Sequence, residues 1–420
     1  MAVPNPRERA RAPPVSLNQV ALACVLLDNG GVSVQRRSGV GHVATTGGAF
    51  WLGLAHFVVD AVCVTAVLRA APLSEALTSG TFAFVLGYDL LAFAGQAPFG
   101  WLIDRWSLRR PASLLGLALT MAALLAGPRG GLAVMLLAGA GNALFHVGAG
   151  AMVLAGAKDK ASPAGIFVAP GALGLGLGLM LGRKFLTVPL WPFLFALAAS
   201  MLAVLFVSQR SEESAHAPGS GPGAKSASGP ARARGAVVLI VTLLSLSVAV
   251  RSLVGTVGCD GCPRGFFLMV ALPVAAFAGK LVGGFLADRF GWIDLAITAL
   301  LASAPLLAFS GGDLWLALPG LLVFQMTMPV TLTATLRAMP ARPGFSFGVL
   351  CLALVAGTLP AYLPGGWRPH GLPLFFLVLG SAAALYLALR MLVPPSRRRT
   401  PSPATCTQTS SPTTLCRGEP

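Results

Sequence analysis

Apolar runs of about twenty residues recur along most of this 420-residue chain, and each is long enough to cross a hydrocarbon core of about 30 Å. No water is present in such a core to satisfy backbone N–H and C=O groups. The runs must therefore close their hydrogen bonds within helices or around a closed barrel. They are continuous rather than alternating apolar with polar, which excludes the barrel. Only 10% of the residues are charged and the mean hydropathy is +0.77, too little charge to cover the surface of a soluble domain.

The spans are expected at 49–70, 78–103, 111–127, 132–156, 162–182 and 186–207, then at 235–257, 266–287, 294–309, 314–336, 345–363 and 372–392. Between the two groups, 209–234 is rich in Ser, Gly, Pro, Ala and charge and reads as a flexible cytoplasmic linker. Six spans, a polar linker and six spans is the pattern of a transporter built from two halves, an N-terminal bundle over 49–208 and a C-terminal one over 235–393. Residues 1–48 read as a cytoplasmic extension of a composition compatible with disorder, since their apolar stretch at 20–27 is too short to span; 394–420 reads as a disordered cytoplasmic tail. Nothing resembles a cleavable signal peptide.

The net charge of +16 could suggest nucleic acid, but Lys and Arg fall in short segments between spans rather than along one face. With the N-terminus inside, Arg105, Arg109, Arg110, Lys158, Lys160, Arg289, Arg337, Arg342 and the basic residues of both termini and the linker are cytoplasmic. Only Arg69, Arg129, Arg183, Lys184, Arg264 and Arg368 lie outside. That asymmetry, present in both halves, orients the chain in the inner (plasma) membrane with both termini cytoplasmic.

A local motif repeats. Gly100-Trp-Leu-Ile-Asp104-Arg105-Trp-Ser-Leu-Arg109-Arg110 follows the second span, and Gly284-Phe-Leu-Ala-Asp288-Arg289-Phe-Gly291 follows the eighth. Small Gly100 and Gly284 permit close helix packing. Asp104 and Asp288 can pair with nearby Arg or cap a neighbouring helix N-terminus, a latch for one access state. Both stretches resemble the Gly-x-Leu-x-Asp-Arg-x-Gly-Arg motif of the major facilitator superfamily, with Ser107 and Trp292-Ile293-Asp294 as departures. The resemblance implies an all-α fold of twelve transmembrane helices in two pseudo-symmetric halves around a central cavity. It also implies transport by alternating access. Residues 50–180 further resemble the fosmidomycin-resistance-like members, through His56-Phe-Val-Val-Asp60, Gln96-Ala-Pro98-Phe-Gly100 and Gly141-Asn142-Ala-Leu-Phe145-His146, although Val147-Gly148 follows where that group has Pro-Glu. This narrower resemblance implies efflux of a small anionic or amphipathic compound.

Without the family, the same residues stand out because ionisable groups inside spans are costly and mark pathways or relays by default. His56 and Asp60 are one helical turn apart and share a face. Asp89 and His146 also lie near mid-span, and Gln96 and Asn142 are uncharged candidates for lining a cavity. A carboxylate among histidines can take up and release protons, as a proton-coupled carrier needs. A structural polar pair and a core hydrogen-bond donor are the plainer alternatives. In the second half, Arg251 could hold an anionic substrate or pair with a first-half carboxylate, Lys280 could snorkel, and Gln325 is a weaker candidate. The run Pro170-Gly171-Ala-Leu-Gly174-Leu-Gly176-Leu-Gly178 either lets the fifth helix bend or simply packs closely.

Cys259 and Cys262 fall outside, where either a disulfide or two free thiols is compatible with the spacing. No Gly-x-x-x-x-Gly-Lys-Ser/Thr loop, His-Glu-x-x-His zinc site or nucleophile elbow is present, so neither an ATP-driven pump nor an enzyme is expected, and no cofactor or metal. The expected partners are the bilayer, a small-molecule substrate and protons, for a monomer that binds no nucleic acid. An uptake carrier and a non-transporting receptor or scaffold are the rival readings.

Overall fold

The computed structural model describes residues 39–71, 79–157, 159–183, 189–216, 233–262, 265–363 and 365–392, the side chains of 39–45, 79–81 and 208–216 excepted. The described residues are helical throughout, joined by short turns. In chain order the helices are α1 Gly39–Ala70, α2 (Ser79–Asp89, a π-helical turn Leu90–Ala94, and Gln96–Trp106), α3 Arg109–Ala126, α4 Leu132–Gly156, α5 Ser162–Gly182 and α6 Trp191–His216. Then follow α7 Arg234–Val257, α8 Phe266–Phe290, α9 Trp292–Ala308, α10 (Leu314–Gln325 and Met328–Ala338), α11 Pro343–Tyr362 and α12 Leu372–Leu392.

Among the described residues, 9 helices are long and apolar enough to cross a membrane. Trp191–Val207 of α6 and Trp292–Ala308 are shorter apolar helices. Arg109–Ala126, which opens on two arginines, takes the remaining position expected from the sequence. The chain is a multi-pass membrane protein.

Helix boundaries depart from the expected spans by about ten residues in two places. α1 begins at Gly39, inside the expected extension, and α6 continues to His216, inside the expected linker. Both excesses carry the polar residues that ended the apolar windows, and a helix needs no apolar side chain once its backbone hydrogen bonds propagate. The rest of the extension, linker and tail lies outside the described residues.

Two helices are irregular for identifiable reasons. α10 breaks at Met326–Thr327 because Pro329 has no N–H to return to Gln325, where the first segment ends. In α2 the Gly95 N–H bonds back to Leu90 O at 2.9 Å, a five-residue step, and the Gln96 side-chain amide donates to Ala92 O at 2.7 Å.

The packing is pseudo-symmetric. α5 runs against α8, and α2 against α11. If α7–α12 repeat α1–α6, then α8 is the equivalent of α2 and α11 of α5. The two contacts are then one pairing with the halves exchanged. Within halves, α3 packs on α4, and α11 and α12 both pack on α7. The α7–α8 turn carries a Cys259–Cys262 disulfide, and Asp260 beside it receives two 2.9 Å hydrogen bonds from Arg368.

Candidate functional site

One polar cluster stands inside the first half. His56 and Asp60 come from successive turns of α1, and Asn142 and His146 from successive turns of α4. His56 Nε2 lies 3.2 Å from Asp60 Oδ2, and His146 Nε2 lies 3.3 Å from Asp60 Oδ1. Asn142 Nδ2 donates to Asp60 Oδ1 at 3.0 Å. The two imidazoles meet edge to face, with centroids 4.3 Å apart.

The backbone fixes how these rings can act. His56 Nδ1 is 2.9 Å from Phe167 O of α5, and His146 Nδ1 is 2.8 Å from Asn142 O. A carbonyl oxygen only accepts, so both Nδ1 atoms carry the proton. Both Nε2 atoms are therefore turned to the carboxylate. A neutral ring would set a lone pair against an anionic oxygen there. The cluster is complete only with a cation between rings and carboxylate, either a proton or a metal ion. His56 reaches this place because residue 171 of α5 is glycine: a Cβ on Gly171 would collide with the His56 ring.

The other expected pathway residues do not join the cluster. Asp89 is half-buried where α2 enters its π-helical turn. Gln96 is fully buried, with Oε1 lacking a hydrogen-bond partner, where α2 crosses Gly348 of α11. Lys280 is half-buried on α8.

Arg251 on α7 is 3% exposed and faces the break in α10. Its Nη2 donates to Thr327 Oγ1 at 2.5 Å, and its Nη1 to Thr331 Oγ1 at 3.3 Å, with Met328 Sδ at 2.9 Å. Its Nε has no partner, and no carboxylate pairs with it among the described residues. It is a buried guanidinium held only by neutral groups. Gln325 Oε1, at the same break, is also without a partner.

The repeated motif builds two matched contacts at one end of the bundle. Asp104, at the end of α2, accepts from Gly344 N at 3.0 Å and Phe345 N at 2.8 Å, the first turn of α11. Asp288, at the end of α8, accepts from Ala161 N at 2.7 Å and Ser162 N at 3.0 Å, at the start of α5. Each carboxylate thus caps a helix of the opposite half, where the unpaired N–H groups and the helix dipole favour negative charge. Gly100 makes the first contact possible, since a Cβ there would run into the Gly344 carbonyl; one on Gly284 would stand 3.0 Å from Ser162 Cα. Arg105 and Arg289 are exposed and pair with neither aspartate, Arg289 lying over the Phe290 ring at 5.6 Å. Arg109 is half-buried in the first turn of α3.

Sequence reasoning missed the Phe167 carbonyl, the room left by Gly171, and the Thr327–Thr331 pair around Arg251. The threonines, four residues apart inside a span, were the available signal.

Helix order, exchanged inter-half packing and paired caps define the major facilitator fold. In agreement, the chain superposes on two solved structures of that superfamily. One is the transporter FucP in its outward conformation, at 17% identity and a TM-score of 0.52, over 82% of this chain and 98% of that one. The other is of the E. coli fucose:proton symporter FucP, at 15% identity and a TM-score of 0.52, over 85% of this chain and 100% of that one. No family model matches the chain, and no curated protein matches it by sequence.

Proposed function

We propose that this protein is a secondary active transporter that moves a small molecule by alternating access and is driven by the proton gradient. The observation that carries the reading is the pair of caps Asp104–α11 and Asp288–α5. They join the two halves at one end of the bundle and can break together when that end opens. Gly100 and Gly284 belong to this latch, on the cytoplasmic side, where the basic loops with Arg105, Arg109 and Arg289 put it. His56, Asp60, Asn142 and His146 hold the coupled cation, and a similar fold serves a fucose:proton symporter. Arg251, with Gln96 and Asp89 in the pathway, receives an anionic or amphipathic substrate, which supplies the countercharge that its neutral neighbours do not.

Export as an antiporter of the inner membrane, by a monomer with both termini cytoplasmic, is the direction we favour. Uptake is the second reading, because one matched structure is a symporter. A compound-tolerance screen of cells overexpressing the chain tests the first. Raised tolerance that disappears with Asp60→Asn supports it. Tolerance retained by that variant removes the cluster from the mechanism, and substrate accumulation in cells favours uptake.

A further inference from the structure

We propose that His56, Asp60 and His146 form a binding site for one divalent transition-metal ion of the Zn²⁺ class, a ligand beyond the carrier reading. One donor atom from each residue lies within 4.8 Å of the other two. The N–O separations are 3.2 and 3.3 Å. Charge-assisted N–H···O bonds are shorter, about 2.7–2.9 Å. Neighbouring ligands of a tetrahedral ion, each about 2.0–2.1 Å from the metal, stand about 3.3–3.4 Å apart. The two distances run to different oxygens of Asp60, and each is nearer a metal's ligand–ligand spacing than the length of a tight ion-pair bond.

A second observation points the same way. The His146 side chain is 4% exposed and its Nε2 has no hydrogen-bond partner, although Asp60 Oδ1 is only 3.3 Å away. The separation is that of an ion pair without a formed hydrogen bond, which leaves this nitrogen available to a cation shared with Asp60. A buried nitrogen left in this way is costly unless something else partners it.

The surrounding groups match what a metal site requires. Both Nδ1–H groups are tied to backbone carbonyls, and Asn142 holds the carboxylate, so ring tautomers and ligand orientation are set before an ion arrives. Two imidazoles with one carboxylate suit Zn²⁺, Co²⁺ or Ni²⁺; Ca²⁺ and Mg²⁺ prefer oxygen alone. Asp60, 14% exposed, is the most accessible of the three and leaves an entry and a fourth position for water or another donor. No ligand spacing in the sequence gives the site away, because the third donor comes from a different helix.

The test is a Co²⁺ titration of the purified, tag-free full chain in detergent. One equivalent should give the intense visible bands of four-coordinate cobalt, and Zn²⁺ should bleach them. His56→Gln and His146→Gln should each abolish the bands. Asn142→Ala should weaken binding by roughly 10–100-fold, as loss of an outer partner does. Asp260→Asn, at an exposed pair, should change nothing. X-ray absorption at the zinc edge of the unaltered chain gives a check that does not depend on the folding of any variant: nitrogen and oxygen scatterers alone are expected. Absence of the bands, their survival in both histidine variants, or sulfur in the zinc shell would overturn the proposal. Binding is read without flux, so a chain that binds cobalt but transports nothing would count against the carrier reading and leave the metal site standing.

Discussion

Replacing Asp104 by alanine should open the latched end of the bundle. The carboxylate accepts two hydrogen bonds, at 3.0 and 2.8 Å, from the first turn of α11. Bonds to a charged group contribute about 1.5–3 kcal/mol each. Asp104 is half-exposed, so water replaces part of that, and roughly 2 kcal/mol for the pair is a reasonable figure after the discount. Both bonds exist only while α2 and α11 meet at this end. The loss therefore falls on one conformational state and shifts the ratio of open to closed about 30-fold. Asp288 is more exposed than Asp104, and its removal should shift the ratio less. Asn at 104 keeps one acceptor oxygen and should fall between. Spin labels at Ser107 and Ala341, both exposed and flanking the contact, would report the separation by double electron–electron resonance. A longer-distance population should grow in the order Asp288→Ala, then Asp104→Ala. An unchanged distribution in Asp104→Ala, or a larger shift in Asp288→Ala, would refute the assignment of the caps to a state-specific latch.

Gly171→Ala should displace the His56 ring and abolish transport, with cobalt binding lost alongside; a fully active Gly171→Ala chain would show that His56 need not sit where it does. Arg251→Met removes a buried guanidinium that has no carboxylate partner, so melting temperature should stay level or rise, by an amount of about 1–4 kcal/mol in stability, while transport is lost. Gly100→Ala should press on the Gly344 carbonyl and enlarge the same open population as Asp104→Ala, read from the same label pair. Asp260→Asn breaks a surface pair whose partners are 43% and 42% exposed, and thermal melting should move by less than about 1 kcal/mol in stability.

Much of the fold could be read because lipid imposes a single backbone solution on a long apolar run. The spans 132–156, 162–182 and 372–392 coincide with α4, α5 and α12. Boundaries were lost where the helix outlasts its apolar stretch, as at Gly39 and His216, and the break in α10 depends on how Pro329 meets Gln325, which hydropathy does not register. At the site, His56–Asp60 was legible from its spacing of one turn. The approach of His146 was not, because only the packing of α1 on α4 brings it to the carboxylate. The repeated Asp104 and Asp288 announced two equivalent sites, whereas their partners, bare backbone N–H groups at the starts of α11 and α5, have no sequence signature at all.

Flux in inside-out vesicles tests carrier action most directly, with whichever compound the tolerance screen yields as the tracer. Vesicles bearing the unaltered chain should accumulate the compound under a proton gradient and release it when an uncoupler collapses that gradient. Vesicles bearing Asp60→Asn should do neither. Equal accumulation in the two, or accumulation indifferent to the uncoupler, would contradict a cation-coupled carrier centred on this carboxylate.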